Sequence, residues 1–206
     1  MELENMLIGV PDTVANLQLP DPTIRDFYRD EEDRIYRLDH DLTEDDLDLI
    51  KLILRCNQED KNKPVDERKP IKIFISSCGG CVITLWSIIQ AIQTSKTPVW
   101  TINFSYAYSA AAELLVAGHK RFAFKGTQAM FHRGSAYYGG EQSVVESTKK
   151  HFDALEKKLT DFLLEHTNID GKTYKKKAST DIYMDEDECL AKKVVDEIVT
   201  DFDVLF

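Results

Sequence analysis

The sequence predicts an α/β domain with largely parallel strands. Three observations support this prediction: the middle of the chain repeats a unit of strand, small-residue turn and helix, a long helix follows, and 43% of the 206 residues are apolar. Strands that alternate with helices are typical of parallel sheets with right-handed crossovers. The length suits one core, so we expect a single domain over residues 35–206.

An N-terminal arm is expected over residues 1–34. This segment is polar, contains three prolines and ends in a dense run of charges, so it contributes little to a core. We expect it to be mobile or ordered by a partner. After the arm, residues 34–38 alternate like a short strand, and Thr43 begins an amphipathic helix with Leu47, Ile50 and Leu54 on one face.

The repeated unit occupies the middle of the chain. Its expected elements, in order, are a strand at 71–76, a turn at 77–80, a helix at 82–94, a strand at 99–104, a helix at 109–117, and short strands at 121–124 and 128–131. The helix at 109–117 begins with small residues.

Residues 141–166 carry the longest periodic pattern. Apolar or near-apolar residues recur there at alternating spacings of three and four, at Val145, Thr148, Phe152, Leu155, Leu159, Phe162 and His166. This narrow stripe predicts one long helix that packs against another helix, either within the chain or in a neighbouring subunit. Asp185 and Glu188 have capping-box spacing, which predicts the start of a last helix.

Composition argues against several classes of partner. The net charge of −10 disfavours nucleic acid and anionic membrane surfaces. The acidic start of the chain does not resemble a secretory signal, which predicts a cytoplasmic protein. The best apolar stretch, residues 104–118, is interrupted by Glu113 and is shorter than the ~20 residues that span a bilayer, so we expect no membrane segment.

Four cysteines, Cys56, Cys78, Cys81 and Cys189, are expected to be free thiols. Cys78 and Cys81 match the C-x-x-C pattern, which leaves a redox pair or half of a zinc site open. A second ligand pair at metal spacing is missing from the sequence. We therefore expect neither a metal nor another cofactor.

Ser109 is the serine best placed for chemistry. It follows a buried-looking strand and precedes three alanines, so a substrate carbonyl could approach the backbone closely. Free N–H groups at a helix start stabilise developing negative charge. On this local pattern alone, Ser109 could equally be an N-cap residue.

Four segments of the sequence resemble the proteolytic subunit of Clp protease. They are the strand–turn segment at 75–82, the nucleophile segment at 106–112, the catalytic histidine segment at 130–133 and the short acidic motif at 180–184. They occur in the family's order, with 29 residues from Gly80 to Ser109, 23 to His132 and 49 to Asp181. Residues 162–167 also resemble the end of the family's long handle helix, so the likeness runs from about residue 34 to 202.

The resemblance implies a Ser-His-Asp triad. Ser109 would be the nucleophile, His132 the general base and Asp181 the residue that orients the histidine. The N–H groups of Gly80 and Ala110 would form the oxyanion hole. An unaccompanied histidine or aspartate is more often a packing, surface or turn residue, and the joint spacing is what favours the catalytic interpretation.

The resemblance also implies a fold and an assembly. The fold would be a ClpP/crotonase-like spiral of repeated β-β-α units with a protruding handle at about 133–168. Gly139 and Gly140 would belong to a handle strand that binds substrate by strand addition. Copies would form a homo-oligomer of two stacked heptameric rings, whose chamber degrades unfolded polypeptides and peptides.

Three residues depart from the family pattern: Cys78 replaces a proline, Ser105 a glycine and Ala110 a methionine. Ser105 would disturb the turn if that position required positive φ. The N-terminal segment also lacks the family's axial-loop pattern and full first helix. Whether an AAA+ unfoldase docks on the protein therefore stays open.

Two other functions stay open at this point. Crotonase-type acyl-CoA enzymes share the spiral fold and the paired N–H oxyanion hole, although they do not need the triad. A non-catalytic shell, or a specialised viral processing subunit, is the second alternative, because fold-level likeness alone does not establish an activity.

Overall fold

The computed structural model describes residues 22–135, 138–177 and 180–206. The chain divides into two units, Met1–Asp33 and Arg34–Phe206. In the first unit, the described residues include one helix, α1 (Pro22–Glu32). These residues belong to the predicted arm, for which no helix was expected. Proline suits the first turn of a helix because its φ is already fixed near the helical value.

The second unit contains a seven-stranded sheet and six α-helices among the described residues. In chain order, the elements are β1 (Ile35–Leu38), α2 (Asp48–Glu59), β2 (Ile71–Ser77), α3 (Val82–Thr94), β3 (Val99–Tyr108), α4 (Ala110–Ala117), β4 (Lys120–Phe124), β5 (Gln128–Phe131), α5 (Gln142–His166), α6 (Gly171–Lys177), β6 (Ile182–Asp185), α7 (Glu186–Ala191) and β7 (Glu197–Val199). Short 3-10 turns cover Glu44–Leu47, Val65–Glu67 and Phe202–Val204.

The sheet is parallel except at one edge. Its main path runs β1-β2-β3-β4-β7, with all neighbours parallel. β3 pairs first with β4 and then, through Tyr106–Tyr108, with β5. β6 then pairs antiparallel with β5. The parallel-dominated α/β architecture predicted from the sequence is confirmed.

β3 is longer than the strand expected at 99–104. Its last residues, which the sequence analysis treated as a turn, stay extended because they pair with β5. Ser105 lies within this extension and is absent from the residues with positive φ. The replacement of glycine at this position therefore does not strain the backbone.

The helix that follows Thr43 has a different buried face from the one predicted. A capping box on Thr43 starts a 3-10 turn that continues into α2. Its buried side chains are Leu49, Leu52, Ile53 and Cys56, whereas Leu47 and Leu54 are exposed. This helix carries apolar residues on more than one face, so their helical spacing alone predicted the wrong buried face.

The long helix α5 is buried over only part of its length. Leu155, Leu159, Phe162 and Leu163 join the core, and residues 142–151 are exposed or only partly buried. At its end, the Arg121 guanidinium donates to the carbonyl of His166 and to Asp196, which holds the helix end on the sheet. The predicted stripe is thus confirmed in its second half, and its first half lies outside the core.

The capping box predicted at Asp185 and Glu188 is present, and it starts α7. Across the described residues, every helix falls short of the length or the apolar character that crossing a bilayer requires.

Candidate active site

The ends of three paired strands bring Ser109, His132 and Asp181 together. Ser109 directly follows β3 and His132 directly follows β5, which is parallel to β3. Asp181 directly precedes β6, and the antiparallel pairing of Phe131 with Ile182 places Asp181 beside the end of β5. Residues far apart in the chain therefore meet at one edge of the sheet.

Ser109 occupies a strained turn between β3 and α4. Its backbone has φ 54° and ψ −125°, in the region where L-residues other than glycine are disfavoured. The Ser109 N–H donates to the Met130 carbonyl at 2.7 Å, which fixes the turn against β5. Its side chain forms no capping hydrogen bond, so the N-cap alternative loses its basis and the hydroxyl points elsewhere.

The Ser109 hydroxyl pairs with His132. Oγ lies 2.7 Å from Nε2 of the imidazole, which is a short hydrogen bond. On the other side of the ring, Nδ1 is 3.8 Å from Oδ1 of Asp181. That separation is within ion-pair range but beyond a hydrogen bond. Asp181 is also half exposed, and its second oxygen lies 3.5 Å from the Tyr183 hydroxyl.

Two glycines line the turn beside Ser109. Gly79 and Gly80 have φ values of 105° and 140°. A Cβ on Gly79 would lie 2.7 Å from the Tyr108 carbonyl oxygen and 2.9 Å from the Ala110 nitrogen, so only glycine fits. Leu42 holds the turn in place through two backbone hydrogen bonds, its N–H to the Gly79 carbonyl and its carbonyl from the Cys81 N–H.

The N–H groups of Gly80 and Ala110 are available to a ligand. Ala110 is the first residue of α4, where an N–H has no intrahelical acceptor. Within the described part of the chain, neither N–H donates a hydrogen bond to another group. Cys78, which stands where the Clp protease pattern has a proline, is exposed at the start of this turn and lines the cavity beside Ser109.

The cavity beside Ser109 has a volume of about 340 Å³. Ser109, His132, Gly80 and Ala110 lie on its wall, together with residues of α5 and Tyr174 of α6. Tyr138 also contributes to the wall. Gly139 and Gly140 do not line this cavity, and neither has another group within 4 Å of the position that a Cβ would take.

The predicted handle strand is not formed by the residues that the structure describes. Tyr138, Gly139 and Gly140 are irregular, and Tyr137 lies outside the described residues. A strand requires a hydrogen-bonded neighbour, and the sheet of this chain ends elsewhere. The role of Gly139 and Gly140 in binding substrate stays a prediction.

Glu113 lines the cavity but was not predicted from the sequence as a site residue. It lies one helical turn after Ser109, and its N–H donates to the Ser109 carbonyl at 3.2 Å. Burial raises the pKa of its carboxyl to about 8, and the charge of Glu156 contributes in the same direction. Glu113 could have been singled out in the sequence because it is the single charged residue in the apolar stretch 104–118.

The described residues contain no group of three or more His, Cys, Asp or Glu side chains placed to hold a metal ion. All four cysteines are free thiols, as expected. Hydrogen bonds from Thr84 lower the pKa of Cys81 against the opposing effect of burial.

A family comparison agrees with this arrangement of elements. Residues 37–202 match the Clp protease family, which covers most of the second unit. The match includes both strands that end at Ser109 and His132, and the strand that begins after Asp181. The chain therefore belongs to the Clp protease family, and membership implies a peptidase of that general type.

Proposed function

We propose that the protein is a serine endopeptidase of the Clp proteolytic-subunit type that hydrolyses peptide bonds of unfolded proteins and peptides inside an oligomeric chamber. The observation that carries this proposal is the 2.7 Å contact between Ser109 Oγ and His132 Nε2. It occurs at a strained strand-to-helix turn, beside two unused backbone N–H groups. A nucleophile within hydrogen-bonding reach of its base is the geometry that acyl transfer requires.

Acylation begins when His132 Nε2 accepts the Ser109 proton and Oγ bonds to the scissile carbonyl carbon. The carbonyl π bond opens, and the resulting oxyanion accepts hydrogen bonds from Gly80 and Ala110. Nε2 then returns its proton to the departing amine as the C–N bond breaks. Ser109 is left as an ester of the substrate.

Deacylation repeats these steps with water. His132 takes a proton from the water molecule as its oxygen attacks the ester carbonyl, and the proton then returns to Ser109 Oγ. In both half-reactions Asp181 faces the Nδ1 side of the ring, where it would favour the imidazolium. Catalytic hydrogen bonds often tighten only when substrate is bound, so the 3.8 Å separation is compatible with this role.

Exposed apolar side chains support assembly into an oligomer. Phe104, Phe202 and Phe206 are exposed and line one surface cavity, and Phe104 and Phe202 both contact the Phe124 ring. Contiguous apolar surfaces of this kind mark contacts with other proteins. We expect the assembly to be two stacked seven-membered rings, with access restricted to unfolded chains.

Covalent labelling by a fluorophosphonate tests the nucleophile. We expect the purified protein to be labelled, and Ser109→Ala to abolish both labelling and peptide cleavage, a loss of about a million-fold in turnover. Ser135→Ala is the matched control, because it removes another hydroxyl from the same cavity. Labelling that survives Ser109→Ala would exclude this serine, and an unlabelled wild-type protein would favour the shell or the acyl-CoA enzyme.

Sedimentation velocity tests the chamber. We expect one large species of the wild-type protein, and cleavage of an unfolded protein but not of its folded form. A monomer that degrades both forms equally would contradict the chamber while leaving the triad in place.

A further inference from the structure

The helix that follows the nucleophile carries one carboxylate into the cavity. All other residues of α4 are apolar and buried, whereas Glu113 is only partly buried. Glu113 and Ser109 both line the cavity, and the Glu113 N–H donates to the Ser109 carbonyl. The first turn of α4 therefore fixes the position of Glu113 relative to the reacting serine.

The Glu113 carboxyl has no counter-ion among the described residues. No hydrogen bond and no positive charge contributes to the shift of its pKa. Its charged neighbour is another acid, Glu156 of α5, which lines the same cavity. An unpaired carboxylate in a partly enclosed site is unfavourable, and such sites are commonly functional.

Among the described residues, the other titratable groups around this cavity leave Glu113, but not Glu156, without a positive partner. Arg133 forms an ion pair with Glu156, with Nε 3.8 Å from Oε1, and both side chains are considerably exposed. Tyr174 of α6 faces both acids, and its pKa is raised by burial first and then by the charge of Glu113. His132 pairs with Ser109, and Cys78 lies at the turn on the opposite side.

Apolar side chains line the cavity alongside its polar groups. They are Val82, Met130, Phe152, Leu155 and Leu159. A side chain that combines a long apolar stem with a cationic end matches both kinds of lining. Because Ser109 lies on the wall of the same cavity, the substrate side chain best placed to enter it is that of the residue whose carbonyl carbon is attacked.

We propose that Glu113, assisted by Glu156, makes this cavity a pocket for lysine or arginine at the residue that donates the scissile carbonyl. This inference rests on the proposed peptidase function and names its substrate class. The ammonium or guanidinium group would lie between the two carboxylates, and the stem would contact the apolar wall. Glu113 is thus a specificity-determining residue.

Peptides that differ only at this position test the pocket. The probes are fluorogenic peptides with lysine, arginine or norleucine before the scissile bond, because norleucine keeps the stem of lysine without its charge. We expect kcat/KM to be about 100-fold higher for lysine than for norleucine, and Glu113→Gln to remove most of this ratio. Glu165→Gln, an exposed acid on α5, should leave the ratio unchanged.

The pH dependence of the same ratio gives a second test. Since the Glu113 pKa is raised, its carboxyl is mostly neutral at pH 7 in the free protein and ionises as pH rises through about 8. The lysine-to-norleucine ratio should therefore increase over that range in the wild type and stay flat in Glu113→Gln.

Fluorophosphonate labelling separates this inference from the peptidase proposal. If the wild-type protein is not labelled and cleaves no peptide, the peptidase proposal fails. If Glu113→Gln is labelled at the wild-type rate but keeps the full preference for lysine, or if the wild type prefers norleucine, the basic pocket is wrong. A folded, labelled Glu113→Gln protein that has lost the preference supports it.

Discussion

The two sides of the candidate active site differ in how firmly the chain holds them. The proposed oxyanion side, formed by Gly79, Gly80, Ser109 and Ala110, is fixed by backbone hydrogen bonds to Leu42 and Met130. The aspartate side, formed by Asp181 and Tyr183, is more than half exposed to solvent at Tyr183 and has no hydrogen bond to His132. One folded chain therefore organises the proposed nucleophile and the N–H groups beside it, and leaves the proposed third member of the triad loosely held.

Among the substitutions that compare the two sides, the largest expected effect is that of Gly79→Ala on the proposed oxyanion side. Gly79→Ala would place a Cβ against the Tyr108 carbonyl and the Ala110 nitrogen. We expect turnover to fall by about 10³-fold and the free energy of unfolding by about 3 kcal/mol. Peptide cleavage and urea denaturation measure these losses.

Gly126→Ala is the matched control for that substitution. Gly126 also has positive φ, at 82°, but nothing lies within 4 Å of its Cβ position. It should lose only about 1 kcal/mol of stability, with turnover unchanged. Equal losses in the two variants would mean that backbone conformation, and not the contact with the nucleophile turn, explains the effect.

A smaller effect is expected on the aspartate side. Asp181→Asn should lower turnover by about 100-fold, less than the loss of a fully engaged triad aspartate, because the carboxylate is 3.8 Å from Nδ1. Steady-state cleavage measures it, with Asp161→Asn on the exposed face of α5 as control. If a neighbouring subunit covers Asp181, the effect should increase at protein concentrations that favour assembly. An effect that is the same in monomer and assembly would argue against such a neighbour.

The smallest expected effect is on the free energy of unfolding, and its dependence on pH distinguishes Glu113 from Asp181. The folded state holds Glu113 with a pKa of about 8 against an ordinary value of 4.5, so its contribution to stability is complete below about pH 4.5 and is lost as pH rises to 8. A pKa difference of this size corresponds to at most about 5 kcal/mol, and because the side chain is partly exposed we expect Glu113→Gln to gain about 2 kcal/mol over wild type, or 5 °C in Tm, above pH 8.

Thermal unfolding at several pH values measures that gain. Asp181→Asn is the comparison variant, since a half-exposed carboxylate without a close partner should change Tm by about 1 °C or less. Similar pH-dependent gains for both variants would remove the distinction between the two sides.

The sequence predicted the elements whose patterns are local and strong. The helix at Val82–Thr94 and the strand at Gln128–Phe131 have the expected bounds, because apolar periodicity and flanking turns define them. The extension of β3 to Tyr108 was missed because its stabilising partner, β5, lies some 20 residues further along the chain. The prediction of the buried face of α2 was wrong because the helix carries apolar residues on two faces.

The spacing of four segments predicted which site residues would meet, and Ser109 and His132 do lie in hydrogen-bonding contact. The 3.8 Å separation between Asp181 and His132 Nδ1 could not be predicted, because residue spacing in the sequence does not specify distances between side chains. Glu113 appeared in the sequence only as an interruption of an apolar run. Its importance depends on the cavity, which is formed by α5 and α6 from much later in the chain.

The positive φ of Ser109 bears on the alternative that the protein is an inert shell. A backbone conformation that only glycine adopts freely costs about 1–3 kcal/mol when it carries a side chain. If the protein were only a shell, glycine at position 109 would relieve this strain without loss. The proposed chemistry, in contrast, requires a hydroxyl at that torsion and would accept the cost in stability.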